Sequence, residues 1–131
     1  MQQDSIFTKI IKGELPCHKV YEDAQTIAFL PLHPIAHGHV LVVPKLQIDQ
    51  FYDLPAAEYQ ALMATVQKVA QHLQQTLGTK RVGLKIVGLD VPHAHIHVIA
   101  FNTLAEYNEQ PDETAEPDHL ALASLAKRLM L

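Results

Sequence analysis

The sequence predicts an α+β domain with a mostly antiparallel sheet of five strands, a long helix, and short helices at the N and C termini. Short β-type runs follow one another through turn-prone residues, as they do in hairpins. A long stretch with helical periodicity separates the early strands from the late ones, so the two kinds of element are not interleaved. With 131 residues, 48% of them hydrophobic, the chain is long enough to bury its own core. We therefore expect residues 1–131 to form a single domain.

The N-terminal segment has the features of a short helix. Asp4 or Ser5 can cap a helix that extends to Lys12, because short polar side chains accept hydrogen bonds from the first free backbone N–H groups. Gly13 suits the left-handed residue that ends such a helix. Its apolar stripe comprises Ile6, Phe7, Ile10 and Ile11.

Three strands should follow. The runs 18–21 and 26–30 are joined by turn-prone residues and predict a hairpin, and 39–43 is a strongly apolar strand. Residues 31–38 contain two prolines and a glycine, so we expect a loop there.

The longest helix is expected to begin at Asp53 as its N-cap, with Pro55 in the first turn, where proline is tolerated. Gly78 should end it. The segments 81–87 and 93–101 are the remaining strand candidates, residues 103–118 are expected to be a loop, and 120–131 a terminal amphipathic helix. The apolar stripe of the long helix comprises Leu62, Val66, Val69, Leu73 and Leu77.

Composition excludes several classes of function. The formal net charge is −4 and no basic run is present, which disfavours nucleic acid as a partner. The single cysteine, Cys17, allows no internal disulfide and no cysteine-based zinc cage, so we expect a reducing, cytoplasmic environment. No apolar run approaches the 18 residues or so that span a bilayer, and the first residues lack the pattern of a signal peptide. We expect neither a membrane partner nor a cofactor.

Three histidines, His93, His95 and His97, alternate with apolar residues. On a regular strand they would share one face at a spacing of about 6.6 Å, while the apolar residues Ala94, Ile96 and Val98 would share the other. Such a row admits three interpretations. It can be a hydrogen-bonded polar face, a metal site built from imidazole ligands, or a nucleophilic imidazole supported by neighbouring donors. The segment offers no carboxylate as an obvious partner for a metal, and its flanking residues are apolar.

The segment 93–99 matches throughout the His-φ-His-φ-His-φ-φ pattern, with φ apolar, of the histidine triad (HIT) proteins. Residues 34–45 resemble the family's Pro-x-x-x-Gly-His-x-Leu-Val-φ-Pro-Lys segment, and 6–16 and 20–23 resemble its opening helix and first hairpin. These segments follow one another in the family's order, so the resemblance is specific. We therefore identify the chain as similar to HIT proteins of the nucleoside phosphoramidase (Hint) branch.

The resemblance implies a HIT-like fold, a homodimer, and hydrolysis or nucleotidyl transfer at the α-phosphate of a purine nucleotide or nucleoside phosphoramidate, without a metal. By motif position His95 would be the nucleophile of a covalent intermediate, and His97 would contact the phosphate and help the leaving group. His93 would orient its neighbours, and His39 would be the family's supporting fourth histidine. The expected substrate-binding residues are Phe7, Ile10, Leu15, Phe29 and Leu32 around the base, together with Gly88 before the triad.

The chain departs from the family pattern at two positions. Pro31 stands where the family usually has an acidic residue for the ribose hydroxyls, and Asp90 stands where a serine or threonine usually donates to phosphate. Ser5 and Thr8 occupy the region in which zinc-binding members carry additional cysteine or histidine residues. Two alternatives therefore remain open beside the hydrolase: a nucleotide-binding module with vestigial activity, and a histidine-rich metal-binding hydrolase.

Overall fold

The computed structural model, which describes residues 2–131, contains a five-stranded antiparallel sheet with strand order β1-β2-β3-β5-β4. The predicted α+β fold with its hairpin, long helix and terminal helices is confirmed. No helix among residues 2–131 is long and apolar enough to cross a membrane. The elements are α1 Ile6–Ile11, β1 His18–Glu22, β2 Thr26–Leu30, β3 Gly38–Pro44, a 3-10 turn Phe51–Asp53, α2 Ala56–Leu77, β4 Arg81–Lys85, β5 Ile96–Phe101, α3 Leu104–Tyr107 and α4 His119–Leu129.

Helices α2 and α4 cover one face of the sheet and form the main core. The apolar stripe predicted for α2 is buried in it from Leu62 to Leu73, and Leu77 is partly buried against it, because residues three and four apart lie on one side of a helix. Gly78 ends α2 with a φ of 66°, the left-handed conformation expected of it. The core joins Leu62, Val66, Val69 and Leu73 of α2, Leu122, Leu125 and Leu129 of α4, and Ala94, Ile96, Val98 and Ala100 around β5.

The other face of the sheet is covered by α1. Ser5 caps this helix by accepting a hydrogen bond from the Thr8 N–H, as the sequence predicts. Phe7 is 6% exposed and packs on a second apolar cluster, formed by Ile27, Phe29, Leu41 and Val43 of the sheet. The sheet therefore separates a helical core from a smaller face that α1 closes.

The long helix begins later than predicted. Its N-cap is Pro55, without a side-chain capping bond, and Asp53 lies in the preceding 3-10 turn. A residue before proline is disfavoured in the helical region, and Leu54 has an extended ψ of 137°. The chain therefore becomes helical only after Pro55, and the prediction that Asp53 caps α2 is wrong.

The triad segment is not a regular strand from its first histidine. Strand β5 begins at Ile96, which pairs with Val42, so His93 and His95 precede it. The neighbouring strand ends at Pro44, which has no N–H to continue the ladder. The expected row of three histidines on one strand face, spaced at about 6.6 Å, is therefore wrong, although Ala94 and Ile96 do face the core as predicted.

Two further boundaries differ from expectation. Strand β4 ends at Lys85 rather than at residue 87. Part of the loop expected over 103–118 forms α3, because Thr103 and Glu106 make reciprocal capping bonds. Tyr107 at the end of α3 lies against Gly83, where a Cβ atom would come within 2.6 Å of the tyrosine ring. The short helix thus packs on the strand that borders the triad.

Candidate active site

His93 is held by two hydrogen bonds that determine its tautomer. Its Nε2 lies 2.7 Å from the carbonyl oxygen of Pro44, which can only accept, so Nε2 carries the proton. Its Nδ1 then accepts from the Ser5 hydroxyl at 2.7 Å. The ring is fully buried, and burial lowers the pKa of His93, which keeps the ring neutral.

His95 presents an unprotonated nitrogen towards the site. Its Nδ1 donates to the main-chain carbonyl of His93 at 2.8 Å, so the lone pair belongs to Nε2. That Nε2 is buried and has no hydrogen-bond partner within residues 2–131. The ring of Phe7 packs against the imidazole with 4.9 Å between ring centroids and fixes its plane. A buried, oriented lone pair of this kind is what nucleophilic catalysis requires.

His39 and His97 form a directed chain of hydrogen bonds. The N–H of Ile35 donates to His39 Nδ1 at 3.1 Å, which puts the His39 proton on Nε2. His39 Nε2 therefore donates to His97 Nδ1 at 3.0 Å, and His97 keeps its own proton on Nε2. Burial lowers the pKa of His39 to about 3 and that of His97 to about 4, so both rings are neutral at pH 7. His97 thus offers an N–H donor beside the lone pair of His95, whose ring centroid is 5.1 Å away.

Two charged side chains flank these rings. Asp90 Oδ1 lies 3.6 Å from His95 Nε2, and the aspartate side chain is 62% exposed. Lys85 lies directly opposite His97 where the backbones of β4 and β5 pair. Its ammonium donates to the Tyr107 carbonyl at 2.6 Å and lies 4.4 Å from the centre of the Tyr107 ring. A carboxylate and an ammonium group therefore border the histidines.

The structure brings together some of the expected base-binding residues. Phe7 and Phe29 pack edge to face at 5.6 Å, and Ile10 lies against the same cluster. Leu15 is 39% exposed, beyond the end of α1. Leu32 is 47% exposed and lines a cleft with residues of α4, apart from the Phe7 cluster.

Gly88 lies in the loop before the triad with a φ of 76°, a conformation that favours glycine.

Sequence reasoning missed a polar network that supports His93. The Gln47 side-chain oxygen accepts from the Ser5 N–H at 2.9 Å and from the Thr8 hydroxyl. The Gln47 amide nitrogen donates to the Gln3 carbonyl at 2.8 Å. The capping position of Ser5 is the only local signal for this network, and nothing in the sequence links it to His93.

A cleft of about 410 Å³ lies at the end of the sheet where β3 begins and β5 ends. Its lining includes Gly38, Phe101, Leu77 of α2, Glu106 of α3 and Arg128 of α4, and none of the three triad histidines. Within residues 2–131, no three His, Cys, Asp or Glu side chains are arranged to hold a metal ion. The hypothesis of a metal-binding hydrolase has no ligand group in this part of the chain.

The antiparallel sheet, with the imidazole rings of His95 and His97 side by side at the start of β5, defines an α+β protein of the histidine triad class. Comparison with known proteins agrees, because the HIT domain family matches residues 12–104. The chain belongs to the HIT family, and within it to the Hint branch.

Two curated relatives have named activities. Adenylylsulfatase HINT3 of Arabidopsis thaliana is 33% identical over 104 residues, which are 76% of this chain and 53% of that protein. Adenosine 5'-monophosphoramidase HNT1 of Saccharomyces cerevisiae is 34% identical over 95 residues, 72% of this chain and 60% of that protein. The chain thus spans little more than half of either relative.

A solved structure matches nearly the whole fold. The Hit-like protein involved in cell-cycle regulation from Bartonella henselae superposes with a TM-score of 0.84 at 26% identity, over 98% of this chain and 95% of that one.

Proposed function

We propose that this protein is a nucleotide hydrolase or nucleotidyl transferase that acts at the α-phosphate through a covalent intermediate on His95. The observation that carries this proposal is the Nε2 lone pair of His95, which is buried, unpartnered within residues 2–131, and oriented by the bond from Nδ1 to the His93 carbonyl. The named activities of HINT3 and HNT1 support the class of reaction.

In the first step His95 Nε2 forms a bond to phosphorus, and the bond from phosphorus to the leaving group breaks, its electron pair going with the leaving group. A phosphoramidate nitrogen takes up a solvent proton before it departs as an amine. The His97 N–H donates to a phosphoryl oxygen, where it stabilises developing charge. In the second step water attacks phosphorus, its proton returns to solvent, and His95 is released. Two displacements replace one more difficult step.

The substrate we propose is a purine nucleoside monophosphate joined to its leaving group by a phosphoramidate or anhydride bond. Phe7 and Phe29 form an almost completely buried apolar surface beside the triad, and in our proposal the base packs against it. Gly88 and the apolar Ile10 complete this surface in our proposal, whereas the positions of Leu15 and Leu32 give less support to their expected role.

Substitution of the nucleophile tests the proposal. With adenosine 5'-phosphoramidate as substrate, His95→Ala should lower kcat by about a thousandfold or more while the circular dichroism spectrum stays unchanged, because no other ring presents a lone pair at this position. His119→Ala, on α4 at the other face, is the matched control and should keep the wild-type rate. In a His97→Ala background, mass spectrometry should detect an adenylyl adduct that disappears when His95→Ala is added. Near-normal turnover by His95→Ala would refute the mechanism.

A nucleotide-binding module with vestigial activity is the second candidate. It is favoured by the Asp90 carboxylate near His95 and by Pro31 at the ribose position. Nucleotide binding in calorimetry without any covalent adduct would support this candidate over the hydrolase.

We also propose a homodimer that pairs through β4. This strand is at the edge of the sheet, and exposed edges offer unpaired backbone groups to another strand. Exposed apolar side chains follow the same edge, with Leu84 41% and Val87 57% exposed. The helices outside the HIT match belong to the same domain in our proposal, because α4 packs in the main core and Phe7 of α1 contacts His95.

A further inference from the structure

Asp90 places a carboxylate beside the nitrogen proposed to attack phosphorus. Its Oδ1 lies 3.6 Å from His95 Nε2 and accepts a hydrogen bond from the Val91 N–H at 3.0 Å. Within residues 2–131 the aspartate forms no ion pair with a lysine or arginine. The charge is therefore held near the reacting atoms without a cationic side chain to neutralise it.

The reacting phosphorus must come close to this carboxylate. A nucleophile approaches its target to about 3–3.5 Å before reaction, so the phosphorus and Asp90 Oδ1 would be separated by about 7 Å at most. The leaving atom is bonded to that phosphorus on the side opposite the attacking nitrogen, so it would lie within about 9 Å of the carboxylate oxygen. The Asp90 side chain is 62% exposed and His95 is almost completely buried, so solvent screens this interaction on the aspartate side only.

Leaving groups differ in the charge that they develop. A phosphoramidate nitrogen is protonated before it departs, so positive charge appears on the leaving atom. The sulfate of an adenylyl sulfate departs as an anion, so negative charge develops there. A fixed carboxylate stabilises the first transition state and destabilises the second.

Lys85 supplies the opposite charge on the other side of His97. Lys85 lies opposite His97 in the pairing of β4 with β5, and its bond to the Tyr107 carbonyl holds the ammonium on this side of the sheet. Burial lowers the pKa of His97; the Asp90 charge opposes this shift and the Lys85 charge adds to it, so both charges act on this ring. An ammonium group can offset the charge of the phosphoryl oxygens, which both substrates share, so the effect of the carboxylate on the leaving atom is what differs between the two substrates.

We infer that Asp90 determines leaving-group specificity, favouring nucleoside phosphoramidates with an amine leaving group over mixed anhydrides with an anionic one. This inference rests on the proposed hydrolase function. Of the two activities named for HINT3 and HNT1, adenylylsulfatase and phosphoramidase, Asp90 would favour the second.

The test compares two substrates in one set of variants of the full chain. We would measure kcat/KM for an adenosine 5'-phosphoramidate of an alkylamine and for adenylyl sulfate, with wild type, Asp90→Asn, Asp90→Ser and Asp90→Glu. Asp90→Asn and Asp90→Ser should lower the ratio of the amine to the sulfate substrate by about tenfold or more, and Asp90→Glu should keep it within about threefold. Glu58→Gln, which removes one negative charge from the first turn of α2 on the other face, should leave the ratio unchanged.

Three outcomes would overturn the inference. Turnover of both substrates with the same ratio in Asp90→Asn, Asp90→Ser and wild type refutes it while the proposed function stands. Faster turnover of adenylyl sulfate than of the phosphoramidate by the wild type also refutes it. Absence of turnover and of adduct with both substrates refutes the proposed function and this inference with it. Because the Asp90 side chain is mostly exposed, the variants should fold, and urea unfolding checks that they do.

Discussion

Ser5 performs two structural tasks with one hydroxyl group, and replacing it with alanine should remove both. The oxygen accepts the Thr8 N–H at 3.0 Å as the cap of α1. The same hydroxyl donates to His93 Nδ1 at 2.7 Å, inside a fully buried environment. Ser5→Ala should therefore lower the free energy of unfolding by more than an ordinary capping substitution does.

The magnitude follows from the two lost bonds. Loss of a serine cap costs about 1 kcal/mol. A buried acceptor left without its donor costs about 1–3 kcal/mol, and the Thr8 hydroxyl, 3.4 Å from the same nitrogen, already donates to Gln47. Ser5→Ala should thus lower the free energy of unfolding by about 2–4 kcal/mol, a large part of the stability of a domain of this size.

Urea unfolding at pH 7.5 measures this change against two controls. Asp118→Ala removes only the cap of α4, where the carboxylate accepts the Ala121 N–H, and should cost about 1 kcal/mol. Ser5→Thr keeps the hydroxyl and should stay within about 1 kcal/mol of wild type. If Ser5→Ala cost no more than Asp118→Ala, the bond to His93 would contribute nothing to stability and the tautomer assigned to His93 would lose its support.

Two other measurements address the neutral histidines and the sheet edge. In the unfolded chain the two histidines are protonated near pH 6.5, whereas in the folded protein His39 and His97 have pKa values of about 3 and about 4 and stay neutral. The free energy of unfolding should therefore fall as the pH drops from about 6.5 to about 5, by about 1–2 kcal/mol for each ring. Urea unfolding across this range checks it, and a flat profile would contradict the assigned neutrality. Leu84→Lys at the β4 edge should lower the mass measured by analytical ultracentrifugation to that of one chain, while Leu120→Lys on α4 should not; equal masses would refute pairing through β4.

Most of the fold could be predicted because its signals are local. The apolar residues of α2 recur at three- and four-residue intervals and the apolar run 39–43 is nearly continuous, so both elements can be predicted without any tertiary contact, although the start of α2 cannot. The start of β5 cannot be predicted in this way, because His93 lies outside the strand and its ring bonds the carbonyl of Pro44, which is 49 positions earlier in the chain. Periodicity carries no information about such a contact.

The site shows the same division between local and tertiary information. The order of the histidines and the family pattern named His95 as the expected nucleophile, and the structure adds the tautomers, which depend on the carbonyl of His93 and the N–H of Ile35. The network from Ser5 to Gln47 lay outside the reach of sequence reasoning, because it joins residues 42 positions apart. Helix α3 has a readable capping box, but four residues carry too little periodicity to predict a helix.

The direction of the hydrogen bonds from Ile35 through His39 to His97 depends on the main-chain N–H of Ile35, in the loop before β3. Almost any amino acid at position 35 supplies the same N–H, so side-chain substitution there leaves the direction of the chain unaltered, with proline as the exception. A change in the length of the loop would move the amide away and free both rings to exchange their protons. The side chain at position 35 can therefore vary, while the length of the loop is constrained because its backbone N–H determines which nitrogens of His39 and His97 carry protons.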